Sequence, residues 1–150
     1  MTKLSVNVNK IAWLRNARGE NRPNLIEMSK ILIESGVHGL TVHPRPDLRH
    51  ITPDDVYDLS ILCADNKVEF NIEGNPYSEQ TKIYPGFLNL VKEIMPDQCT
   101  LVPDSPDQLT SDHGWEIQAK DHNAVRNIVE EIQTDKTRVS FFVDPNIAQI

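Results

Sequence analysis

An α/β fold built on a parallel sheet is what this sequence predicts, and three observations predict it. Short β-rich runs alternate with segments of helical spacing at a period of roughly 30 residues, and parallel neighbours need the crossover that a helix supplies. Each strand run leads into polar residues: Asn7 and Asn9, His43, Glu73, Asp104 just past Val102-Pro103, and Asp144. Five polar ends on one rim suit a (β/α)8 barrel, which assembles its site from the ends of different strands, whereas an open sheet uses mainly the crevice at its switch point. No G-x-G-x-x-G or G-x-x-x-x-G-K-[ST] pattern follows the first strand, which argues against nucleotide binding. The expected class is a TIM barrel, represented by its first five strands and the helices between them in a single domain.

The strand candidates are Leu4–Asn9, Gly39–His43, Val68–Glu73, Cys99–Val102 and Val139–Asp144. Four helices are expected between them. The first should begin near Pro23, suited to a first helical turn, and end at Gly36, which tolerates the left-handed cap, with Leu25, Met28 and Leu32 as its buried stripe. The second opens on Thr52 as N-cap, with Pro53 at the first position and Asp55 near the positive end of the helix dipole. Val56, Leu59 and Leu62 should face the sheet. A third helix spans about Pro85 to Met95 with Phe87, Val91 and Ile94 on one side. The fourth spans about His122 to Gln133 with Val125, Ile128, Val129 and Ile132.

The 150 residues, 39% hydrophobic and 25% charged, have the composition of one globular domain. No apolar run approaches the ~20 residues that span a bilayer, and the N-terminus lacks a secretory signal, so a cytoplasmic protein without a membrane partner is expected. A net charge of −7 argues against nucleic acid. The charge is uneven: residues 1–50 hold eight Lys/Arg against four Asp/Glu, and residues 51–150 hold seven against eighteen. Local positive charge on an acidic chain is what small anionic substrates require. Cys63 and Cys99 have neither metal-ligand spacing nor scaffold density, and read as buried free thiols.

The densest chemistry lies in His43-Pro44-Arg45-Pro46-Asp47-Leu48-Arg49-His50. Prolines 44 and 46 hold the backbone extended, arginine offers a planar fork to phosphate oxygens, and histidine titrates near neutral pH. A solvated basic loop is the other reading of the same spacing. Asn16-Ala17-Arg18-Gly19 follows the first strand, where Gly19 permits a left-handed turn and Arg18 could reach an anion. Glu73 ends a strand behind apolar Phe70 and Ile72, where partial desolvation would raise its pKa toward that of a general base; an exposed strand-end carboxylate is the alternative.

The runs VNVNKIAWLRNARG, GLTVHPRPDLRHIT, FNIEG, LVPDSPDQLTSDHGW and VSFFVD resemble, in order and spacing, the N-terminal motifs of the pyridoxine 5′-phosphate synthase family, in its bacteroidete-like form. The resemblance implies condensation of 3-amino-2-oxopropyl phosphate with 1-deoxy-D-xylulose 5-phosphate, releasing phosphate and water, without metal or organic cofactor, in a homo-oligomer. It implies His43 as the acid/base histidine and Glu73 as a second proton acceptor. Asn7 and Asn9 match amino-ketone contacts, and Arg18, Arg45, His50 and Thr110 match anchors for substrate or phosphate.

Asn9 and Lys10 stand where many family members have Asp-His. Length is the larger departure, because a full barrel takes about 250 residues and a fifth helix should begin where this chain stops, at Ile150. Strands six to eight, a third catalytic histidine and glycine-rich phosphate loops are expected beyond it, so residues 1–150 alone are expected to make no product. Two competing readings stand beside this one. One is a metal-dependent barrel enzyme with His43, His50, Glu73 and Asp144 as ligands, and the other an inactive fragment or interaction module with open sheet edges.

Overall fold

The structure, a computed structural model, describes residues 2–105, 107–117 and 122–147. Five strands, β1 (Ser5–Asn7), β2 (Gly39–Val42), β3 (Glu69–Gly74), β4 (Gln98–Leu101) and β5 (Arg138–Phe141), form one parallel sheet in sequential order. A right-handed crossover that always steps to the next strand in the same direction leaves its helices on one face. Sequential order is therefore the winding of a barrel, since a doubly wound sheet reverses direction at its switch point. This is a partial (β/α) barrel.

The helices are α1 (Asn9–Arg18), α2 (Leu25–Glu34), α3 (Pro53–Asn66), α4 (Phe87–Ile94) and α5 (His122–Ile132). Thr52 caps α3 through a complete capping box with Asp55, with Pro53 in the first turn. Gly36 follows α2 at φ 92°, where a Cβ would be strained. Val56, Leu59 and Leu62 of α3, Phe87 and Val91 of α4, and Ile128 and Ile132 of α5 are buried as their spacing requires.

Four details differ from the expectations. Helix α1 replaces the loop expected after the first strand, and it takes Asn9 with it, so β1 stops at Asn7. The helix was hidden because its apolar residues form no single inward stripe: Ala12 is its one buried residue, Trp13 and Leu14 are exposed, and Val8 just before it is fully buried. Asn24, not Pro23, marks the start of α2, its side chain accepting from Glu27 N at 3.1 Å. Ser29 takes the inward place in α2 while Met28 is exposed. Strand β5 ends at Phe141, leaving Asp144 exposed beyond it. The helix start expected at Ile150 lies outside the described residues.

Parallel strands covered on both faces read as continuous apolar runs. These strands alternate. Leu40, Val42, Phe70, Ile72, Cys99 and Leu101 are buried in the core they share with the helices. The opposite face is a hydrogen-bonded belt across all five strands: Ser5 Oγ to Thr41 Oγ1 at 2.8 Å, Asn71 Nδ2 to Thr41 Oγ1 at 3.3 Å, Thr100 Oγ1 to Asn71 Oδ1 at 3.0 Å, and Thr100 Oγ1 to Ser140 Oγ at 2.8 Å. Thr41, Asn71 and Thr100 are buried, and the belt satisfies them. Cys63 and Cys99 are buried and free, and burial pushes both thiols up to about 12.

Gly74, the last residue of β3, is where the two layers meet most closely. A Cβ there would stand 2.5 Å from Cε2 and 2.6 Å from Cδ2 of Phe87, whose ring is fully buried. Gly74→Ala should therefore destabilise the fold by about 1–3 kcal/mol, as overpacking of a filled core does. Urea unfolding checks this, and an unchanged midpoint would show that Phe87 can move aside.

Candidate active site

The polar ends of β1, β2 and β3 and the loop after β4 converge on the C-terminal rim of the sheet. Asn7 ends β1 and makes two contacts: Nδ2 donates to Glu73 Oε2 at 3.3 Å, and Oδ1 accepts from Asn9 N at 2.9 Å, at the start of α1. Asn9 in turn reaches β2, its Oδ1 accepting from the backbone N–H of His43 at 2.9 Å. Thr41 and Asn71 share the belt, so strand alternation brings His43 and Glu73, two residues further on, to the same face.

Loop 43–50 is fastened from three directions. Arg15 of α1 grips the α3 cap through Asp55 (Nη2 to Oδ2 at 2.8 Å) and also donates to His50 O, while Asn16 Nδ2 donates to His50 O at 2.9 Å and to Arg49 O at 3.2 Å. Arg45 is 5% exposed, and its guanidinium is spent within the protein. Nη1 meets Asp104 Oδ2 at 2.9 Å, and Nη2 donates to the carbonyls of Ser105 at 3.0 Å and Gln108 at 2.9 Å. Arg49 Nη1 reaches the carbonyls of Gln108 and Leu109. Two arginines of the β2 loop thus fix the path of the β4 loop, which carries Thr110. Thr110 and, at the last turn of α1, Arg18 are exposed.

The site's electrostatics follow from burying groups of both signs. Burial, then the cation of Arg45, push His43 down to about 3 and His50 to about 4. His50 Nδ1 accepts from Ile51 N at 2.9 Å, and the two imidazoles meet edge to face with centroids 6.3 Å apart. Burial moves Glu73 the opposite way, up to about 7, opposed by the hydrogen bond from Asn7 and reinforced by Asp104. At neutral pH this arrangement holds two uncharged imidazoles beside a carboxyl group near its midpoint, so proton transfer is the chemistry it can perform.

Asp104 is a polar strand end in the sequence, and nothing in its spacing assigns it a role. It is 5% exposed and stands at the centre of the rim, with Oδ2 2.9 Å from Arg45 Nη1, 2.9 Å from Ser111 Oγ and 3.5 Å from His43 Nε2. Arg15 and Asn16, which fasten the loop, were likewise unassigned; the polar run RNAR on an otherwise exposed helix was their one signal. The metal reading loses its ligand set, since among the described residues no three His, Cys, Asp or Glu side chains gather as a metal would need. Lys10 lies over the Trp13 ring, 5.2 Å from its centroid.

Fold and rim together define a member of the (β/α)-barrel class whose titratable groups are gathered at the C-terminal ends of its strands. Residues 4–150 match the family described as Pyridoxal phosphate biosynthesis protein PdxJ, and the chain belongs to it. Curated relatives named pyridoxine 5′-phosphate synthase include those of Xylella fastidiosa (strain 9a5c), 52% identical over 97% of this chain and 56% of the relative, and Xanthomonas campestris pv. campestris (strain B100), 52% identical over 99% and 59%. A third, from Xanthomonas axonopodis pv. citri (strain 306), is 50% identical over the same shares. The chain thus spans under two thirds of the length of these relatives. They carry the family rather than the bacteroidete-like subdivision of it.

The shifted groups make opposite demands on stability. Glu73 has a raised pKa, so its favourable contribution is present below its ordinary value of 4.5 and is lost as pH rises through about 7. His43 and His50 are depressed bases, so folding is opposed as pH falls below their ordinary 6.5. Glu73→Gln should therefore be more stable than the parent at pH 8, with the gap closing by pH 4.5. Denaturation midpoints at the two pH values test this, and a gap that widens toward acid would contradict the buried-carboxyl account.

Proposed function

We propose that this chain supplies, as a single domain, the N-terminal strands and two proton-transfer groups of a pyridoxine 5′-phosphate synthase. That enzyme condenses 3-amino-2-oxopropyl phosphate with 1-deoxy-D-xylulose 5-phosphate to pyridoxine 5′-phosphate, phosphate and water. The observation that carries the reading is Glu73, pushed up to about 7 and donated to by Asn7, on the same strand face as His43. Carbonyl condensation, phosphate elimination and ring closure are successive proton transfers, and a group half ionised at neutral pH serves both giving and taking. The half-identical relatives named pyridoxine 5′-phosphate synthase point to the product, and the substrates are those the family resemblance implies.

In this reading His43 and Glu73 accept protons from the condensing substrates, and Asn7 and Asn9 orient the amino ketone. Arg18, His50 and Thr110 hold phosphate groups. Arg45, whose fork is occupied by Asp104 and two carbonyls, contributes fixed positive charge beside them. A phosphate dianion there offsets the cationic part of what holds His43 and His50 down, raising both toward the range where imidazole is a useful base. No metal or organic cofactor takes part. Among the described residues no helix is long and apolar enough to cross a membrane; a cytoplasmic location, and the homo-oligomer that the family resemblance implies, belong to the same proposal.

Three measurements test the proposal. The complete protein, supplied with both substrates, should form pyridoxine 5′-phosphate, and Glu73→Gln should lower kcat by ~10²–10⁴-fold with little change in KM. Absence of product from the parent protein defeats the reading, and near-normal turnover of the variant removes Glu73 from it. Added inorganic phosphate should also move the His50 ring titration upward from about 4; a titration that stays put at saturating phosphate places the anion elsewhere.

A further inference from the structure

Asp104 meets the rim groups of β2 and its own loop through its carboxylate, and the loop after β3 through its backbone carbonyl. Its Oδ2 receives Arg45 Nη1 and Ser111 Oγ, each at 2.9 Å, and faces His43 Nε2 at 3.5 Å. Its backbone carbonyl accepts from Asn75 Nδ2 at 2.6 Å, two residues past Glu73. Its second oxygen, Oδ1, is buried and accepts no hydrogen bond from the described residues. A buried carboxylate is costly without partners, and Arg45 is the cation that makes this one tolerable. Removing either would leave the other charged and buried.

From this geometry we propose that Asp104 is the positioning residue of the site, fixing the tautomer and orientation of His43. The inference rests on His43 being a proton acceptor. A neutral imidazole carries one N–H, and the nitrogen facing a carboxylate is the one that keeps it. Asp104 therefore holds the proton on Nε2 and leaves the lone pair on Nδ1. Asn9 fixes the same residue from the main-chain side, its Oδ1 accepting from the His43 backbone N–H at 2.9 Å. Arg45, Arg49 and His50 from the β2 loop surround the ring with positive or titratable groups, Asp47 on that loop opposes them, and Glu73 lies along the same face from β3. Because Arg45 and Ser111 take up much of the carboxylate's charge, Asp104 orients His43 without making it a strong base.

Nitrogen NMR of the complete protein labelled at histidine tests the tautomer independently of activity. The expected spectrum at neutral pH has His43 Nε2 protonated and Nδ1 bare; protonation at Nδ1 overturns the proposal whether or not any variant folds. Asp104→Asn keeps the shape, but its amide can turn an N–H toward Nε2. It should shift His43 to the other tautomer and lower kcat by ~10²-fold or more while KM changes little, and Asp104→Glu should restore part of the loss. A variant with the parent's tautomer and kcat also overturns it. If the parent protein yields no product but its His43 carries the proton on Nε2, the proposed function fails while the assignment of Asp104 as the group orienting His43 stands.

Discussion

Every pairing in this sheet is parallel, and each must be crossed on the same side by a chain long enough to return to the far end of the next strand. That constraint divides the molecule. Helices occupy one face of the sheet and exclude water from it, so the apolar side chains of the strands collect there. The other face is left to side chains that must satisfy one another, and serine, threonine and asparagine do so across five strands. The same constraint sends all strands out at one rim. Groups far apart in the chain, Asn7, His43, Glu73 and Asp104, become neighbours there without any of them having to lie on a long loop.

The rim then works by offsetting charge at short range. Arg45 is as buried as a core residue, and a guanidinium in that position is stable only with its donors engaged. Asp104 and two carbonyls engage them, and in doing so fix the course of the following loop. Burial, together with the remaining positive field, keeps the nearby imidazoles neutral, while burial, reinforced by Asp104, favours the protonated form of Glu73. The histidines and the glutamate are thus pushed in opposite directions by one environment, the pattern by which a folded site separates its acids from its bases.

Much of this could be read from the sequence, and the reason is local. Thr52, Pro53 and Asp55 announce a helix start because a cap involves residues three apart, and Gly36 announces an end because few other residues accept its φ. The rim was legible because polar residues recur at the ends of apolar runs. What escaped was decided by partners distant in the chain. Arg45 read as a free phosphate fork because its partner, Asp104, stands 59 residues away. Asn9 read as a strand end because the helix it enters has one buried residue and so little periodicity to see. Arg15 and Asn16 read as an unremarkable turn because the carbonyls they hold belong to the next βα loop.

The belt on the inner face bears on how such a protein can change over evolutionary time. Residues alternate along each strand between two jobs, and the two sets have almost no atoms in common. Substitutions that retune the inner surface exchange one small hydrogen-bonding side chain for another and leave the apolar shell unaltered, so chemistry can drift while the scaffold persists. The exception is Gly74, where shell and rim touch through a single missing methyl group. Change along the inward positions is limited to side chains that keep the belt's hydrogen bonds, and Gly74 admits the least.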